Sequence, residues 1–98
     1  MGSYAVVATV QAKPGKRDEV LQAMRGHRDR SLADEPGTEQ FDLLVPLHEE
    51  DKILIFECYA DKDAFKAHAG GPSMAQVGKE IDGLVENMIV ERCNVDGR

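Results

Sequence analysis

A single glutamate, Glu57, stands inside the apolar run ILIFECY (Ile53 to Tyr59), and a histidine, His68, follows on the segment DKDAFKAHA. A carboxylate among apolar neighbours is costly to bury, so it is either protonated or partnered. Histidine titrates near pH 6.5, which suits the role of general base at neutral pH. Strand alternation sets Tyr59 on the face of Glu57, where its hydroxyl would bind a substrate oxygen or cap the sheet end. Helical spacing puts Ala64, Phe65 and His68 on one face, directed at the sheet. His68 and Glu57 are therefore the candidate catalytic groups, with Glu57 orienting His68 or binding a substrate hydroxyl. Each has a structural alternative: a half-buried histidine bonded to backbone or carboxylate, and a glutamate ion-paired with an arginine or lysine of either subunit. Met24, Phe65, Met74 and Val77 would line an apolar pocket for an aromatic substrate, although any core stripe shows the same spacing. Glu35 is read as a turn residue accepting backbone or arginine hydrogen bonds, His27 as a helix-interface residue and His48 as a solvated loop residue.

The elements that must position these groups follow from periodicity and breakers. Tyr4 to Ala12 (YAVVATVQA) is apolar on both alternating faces and predicts a strand covered on both sides. Lys13, Pro14 and Gly15 end it. From Lys16 to about Asp34 a helix carries Val20, Ala23, Met24, His27 and Ser31 along one stripe. Pro36 and Gly37 turn the chain into a strand over Gln40 to Val45, and His48 to Asp51 make the turn into Ile53 to Tyr59. Asp61 is placed to cap the next helix, and Gly70, Gly71 and Pro72 interrupt it. A helix resumes over Ser73 to Val85, with a last strand over Glu86 to Val95. The order is α+β, the ferredoxin-like βαββαβ pattern: a four-stranded antiparallel sheet with two helices on one face. The other face would then expose apolar side chains, and a second copy packed face to face is the simplest remedy, so a homodimer is expected.

Composition narrows the function classes. The 98 residues, 42% of them hydrophobic, make one domain over 1–98 with one core. Eighteen acidic against 12 basic residues give a net charge of −6, which argues against nucleic acid and anionic membrane as partners. No apolar run reaches membrane-spanning length and no export signal opens the chain, so a cytoplasmic protein is expected. Cys58 and Cys93 form no CxxC pair and are read as buried free thiols rather than metal ligands. No phosphate loop and no GxSxG elbow is present, so neither a nucleotide cofactor nor serine hydrolysis is supported.

The ordered set KPGKRDEVLQAM, Glu35-Pro36-Gly37, Glu57-Cys58-Tyr59 and Ala64-Phe65-Lys66-Ala67-His68 resembles the antibiotic biosynthesis monooxygenase (ABM) family over nearly the whole chain. The resemblance implies a dimeric α+β barrel. It also implies oxidation of quinol-like or anthrone-like aromatics by molecular oxygen, with no metal or flavin, in a pocket between sheet and helices. Some members degrade haem and others isomerise a small signalling sugar. Three positions depart from the pattern. Tyr59 stands where many relatives have tryptophan. Met74 stands where many have a second histidine, leaving Ser73 as the nearby polar group. Ala8 and Thr9 stand where haem-degrading members use asparagine. The expected activity is a cofactor-independent monooxygenase on a small hydroxylated aromatic or quinol, with His68 as base and Glu57 and Tyr59 as positioning groups. The alternatives are an isomerase or other proton-transfer enzyme on a small carbonyl compound, and a non-catalytic ligand-binding module.

Overall fold

A computed structural model describes residues 2–98. The elements are β1 (Tyr4–Ala12), α1 (Arg17–Asp34), β2 (Thr38–Leu44), β3 (Lys52–Tyr59), α2 (Lys62–Ala69), α3 (Pro72–Glu80) and β4 (Val85–Asn94). The strands form one sheet in the order β2-β3-β1-β4, with every neighbouring pair antiparallel. This is the ferredoxin-like arrangement, with β1 and β3 at the centre and the second helical region divided in two. The interruption expected at Gly70 to Pro72 separates α2 from α3. The helix after Pro72 ends at Glu80 rather than Val85, because Gly83 adopts φ +79° and turns the chain into β4.

Register assigns the faces. β1 pairs with β3 so that Val6 faces Glu57, Ala8 faces Ile55 and Val10 faces Ile53. These side chains lie under the helices with Phe41 of β2 and Val20, Leu21 and Met24 of α1, and together they make the core. Burial of this stripe, at roughly 25 cal/mol per Å² of apolar surface, is what holds α1 on the sheet. On the opposite face Val7, Leu44 and Ile89 are 41%, 50% and 54% exposed, so within one chain β1 is covered on one side only, not both. Cys58 is buried on that helix-free face, whereas Cys93 is half-buried rather than buried as expected, and both thiols are free.

Two local features bring distant segments together. The β1–α1 turn is tied to the β2–β3 loop by Gly15, at φ +77°, whose N–H donates to Asp51 Oδ1 at 3.0 Å. The α1–β2 turn rests against α2 at Gly37, where a Cβ would lie 2.3 Å from Ala64 Cβ. Only a glycine permits that approach. The Gly37 carbonyl then accepts the Ala60 N–H at 2.9 Å, and Asp61 caps α2 by accepting from Ala64 N–H at 2.9 Å.

Candidate active site

The turn that Gly37 presses onto α2 carries Glu35, and the consequence is a hydrogen bond between Glu35 and His68. Glu35 Oε1 lies 2.7 Å from His68 Nδ1 and also accepts from Thr38 Oγ1 at 2.8 Å. His68 is fully buried, the side chain that α2 sends inward as its helical spacing predicts. Ser31 Oγ of α1 stands 3.5 Å from the same nitrogen. A carboxylate can only accept, so His68 carries a proton on Nδ1, and in the neutral ring Nε2 bears the lone pair. His68 Nε2 has no hydrogen-bond partner among the described residues and is 3.9 Å from Glu57 Oε1, too far for a bond.

Glu57 takes its partner from its own strand instead. The Tyr59 hydroxyl donates to Glu57 Oε1. Burial raises the Glu57 carboxyl above its ordinary value, against the hydrogen bond from Tyr59 and the nearby His68 ring. Burial likewise pushes the Tyr59 phenol far up, reinforced by the Glu57 charge, so Tyr59 stays a neutral donor. Tyr59 is fully buried behind Glu57, stacked edge-on against Phe65, and is absent from the cavity wall. The expectation that Glu57 orients His68 is met by a different carboxylate: Glu35 holds the ring, and Glu57 is held by Tyr59.

Between the sheet and the helices lies a cavity of about 170 Å³. Val6, Ala8, Ile55 and Glu57 form its floor, Met88 and Val90 of β4 its open side, and Met24, Phe65, Met74 and Val77 belong to its walls. His68 and His27 are its two imidazoles, with ring centroids 4.9 Å apart. The wall is mostly apolar, and the volume falls below the roughly 300–1,000 Å³ of sites for drug-sized ligands. Among the described residues, no group of three or more His, Cys, Asp or Glu side chains is placed to hold a metal ion.

Sequence reading singled out His68, Glu57, Tyr59, Phe65, Met24, Met74 and Val77, and the fold brings all but Tyr59 to the wall of this cavity. It missed the role of Glu35, which lies 33 positions from His68, and the placement of His27. One signal was available. His27 and Ser31 are polar residues on the buried stripe of α1, a pattern that marks groups with partners inside. α1 thus supplies a second imidazole beside His68.

Comparison with known proteins agrees with this architecture. The family model described as antibiotic biosynthesis monooxygenase matches residues 3–80. A crystal structure of a candidate antibiotic biosynthesis monooxygenase from Caulobacter crescentus superposes with a TM-score of 0.89 at 26% identity, covering 96% of this chain and 90% of that one. A candidate of the same family from Nitrosomonas europaea gives 0.87 at 18% identity, covering 95% and 98%. A Pseudomonas aeruginosa protein gives 0.87 at 20%, covering 97% and 95%. No sequence match was found among curated proteins.

Proposed function

Because the chain belongs to the antibiotic biosynthesis monooxygenase family, we propose that it is a cofactor-independent monooxygenase acting on a small hydroxylated aromatic or quinol. The observation that carries this reading is the state of His68. Its Nδ1–H is held by Glu35, and its Nε2 lone pair is left without a partner beside an apolar cavity. An unsatisfied buried polar atom costs about 1–3 kcal/mol, and such a cost at a cavity wall marks a place for a ligand's proton. His68 Nε2 takes the proton of the substrate hydroxyl, and Glu35 stabilises the imidazolium that results. The electron-rich anion then transfers an electron to O2, which lifts the spin barrier to reaction. One oxygen atom forms a bond to the ring carbon, and the other leaves as water as the carbon becomes a carbonyl. A phenol plus O2 thus gives a quinone plus water, with no outside reductant. Glu57 and Tyr59 act as the positioning pair: Tyr59 holds Glu57, and Glu57 presents its carboxyl to the ligand from the floor. The apolar walls keep the anion dry while it reacts.

Oxygen uptake by the metal-free protein with one- and two-ring phenols and quinols tests this directly, with quinone absorbance followed in parallel. Uptake lowered at least about 100-fold by His68→Ala is expected, the usual scale of a lost general base. Uptake unchanged in that variant removes His68 from the mechanism. Ligand-raised melting temperatures without any uptake would move the assignment to a proton-transfer enzyme or a binding module.

The same reading includes a homodimer built on the helix-free face, where Val7, Leu44 and Ile89 stand exposed beside Leu54 and Phe56. Sedimentation should give twice the 10.8 kDa chain mass. A single species at the chain mass at micromolar concentration would sink the dimer. No helix among the described residues is long and apolar enough to cross a membrane, and two free cysteines suit a reducing cytoplasmic setting.

A further inference from the structure

His27 has no part in the reaction described above, yet it is only 3% exposed and forms part of the same wall as His68. Its Nδ1 lies 2.8 Å from Ser73 Oγ, and Ser73 Oγ also receives the Arg30 Nε–H at 3.0 Å. Arginine only donates. With one lone pair of the hydroxyl occupied by Arg30, the Ser73 proton is free to go to His27 Nδ1, the only other group hydrogen-bonded to it among the described residues. A neutral imidazole that accepts at Nδ1 carries its proton on Nε2. Burial, with the His68 ring and Arg30 nearby, pushes His27 down to about 4, so the ring is neutral at pH 7. Its Nε2 has no hydrogen-bond partner among the described residues.

The two rings are therefore set in opposite senses by opposite partners. Glu35 makes His68 an acceptor at Nε2, and the Arg30–Ser73 relay makes His27 a donor at Nε2. We propose that His27 is the hydrogen-bond donor of the cavity, and that it selects aromatics with a second oxygen on the carbon beside the hydroxyl that His68 deprotonates. Rings 4.9 Å apart address two neighbouring oxygens rather than two at opposite ends of a molecule. A donor at the second oxygen also polarises its O–H, which strengthens the internal hydrogen bond from that hydroxyl to the anion formed at the first. The choice of ligand rests on His68 being the base. The tautomer of His27 does not.

Two measurements on the whole chain separate these parts. With histidine labelled in both ring nitrogens, NMR at pH 7 reports which nitrogen of each ring bears the proton. The expected result is Nε2–H for His27 and Nδ1–H for His68, with Ser73→Ala turning His27 into a tautomer mixture and leaving His68 unchanged. A His27 that is protonated on Nδ1 in the unsubstituted protein overturns the relay. Catechol and o-cresol, which differ by a hydroxyl in place of a methyl, are then titrated without oxygen. The unsubstituted protein should bind catechol at least tenfold more tightly, His27→Gln should keep most of that preference through its amide N–H, and His27→Leu should lose it to within twofold. Equal affinity for the two probes, including none for either, overturns the selection, as does a preference that survives in His27→Leu. Absence of oxygen uptake with both results in hand would defeat the oxygenase reading alone.

Discussion

The two ends of β3 lie on the same face of the same strand and are built for different ends. At the start of the strand, Ile53 is fully buried against Val10, with Ala12 and Val20 equally sealed, and no polar side chain enters. At its close, Glu57 and Tyr59 stand where two more aliphatic residues would complete the layer, and His27, Ser31, Thr38, His68 and Ser73 gather around them, all buried. The first end gains stability from every methylene it encloses. The second pays in desolvation and recovers only part of it through hydrogen bonds, leaving His68 Nε2 without a partner. A strand can carry both because the apolar end secures the α1 docking on which the polar end depends. Apolar and polar burial are thus divided along one strand rather than between two layers.

The largest expected effect falls on the apolar end. Ile53→Ala should destabilise the protein by about 2–5 kcal/mol through lost contacts and a cavity that cannot close. For a domain of this size that is a melting-temperature drop of roughly 10–30 °C. Calorimetry checks it, and a loss under 1 kcal/mol would mean that this end is not the anchor.

The next effect belongs to the polar end and reads out as pH dependence. The folded protein holds His27 neutral down to about pH 4, while the unfolded chain protonates it near 6.5. Stability from this group is present above 6.5 and is lost as pH falls toward 4, by on the order of 3 kcal/mol in total. Glu57 runs the other way. Its raised carboxyl favours the folded state below pH 4.5, and that contribution is lost as pH rises through the folded value. Denaturation series from pH 4 to 7 should show the His27 slope, and His27→Gln should flatten it. A slope unchanged in that variant would assign acid sensitivity to other groups.

Gly37→Ala tests how the polar end is assembled. The added methyl would meet Ala64 Cβ at 2.3 Å, so the turn and α2 must separate, at about 1–3 kcal/mol for overpacking of this kind. The Glu35–His68 bond should lengthen, and the His68 Nδ1–H resonance should weaken or vanish. An intact resonance would show that the turn adapts without moving Glu35.

The smallest effect is the sharpest contrast with Ile53. Glu57→Gln keeps the shape and removes a charge that burial disfavours, so stability at pH 8 should change by less than about 1 kcal/mol, toward greater stability, with no change at pH 4. Ile53 and Glu57, on one face of one strand, would then respond to truncation and neutralisation with opposite signs. A large loss in Glu57→Gln would instead identify Glu57 as a structural partner.

Much of the scaffold was legible because it follows from local rules. The span of β1, the Asp61 cap, the stripe of Val20, Met24, His27 and Ser31 on α1 and the break at Gly70 to Pro72 depend on near neighbours in the chain, and the sequence states them directly. So did the anomaly of Glu57, since a carboxylate in an apolar run is visible without coordinates. The helix end at Glu80 was less legible, because Met74, Val77, Ile81 and Leu84 keep helical spacing past the point where Gly83 turns the chain.

What the residues alone determined, then, is which side chains face the core and which of them are chemically out of place there. Which of those meet was decided by tertiary structure alone. Glu35 reaches His68 because Gly37 lets a turn rest on a helix distant in the chain, and His27 reaches the same cavity because α1 docks at one particular height on the sheet. Periodicity gives direction within an element, whereas the distance between two elements is set by the packing of all the side chains between them.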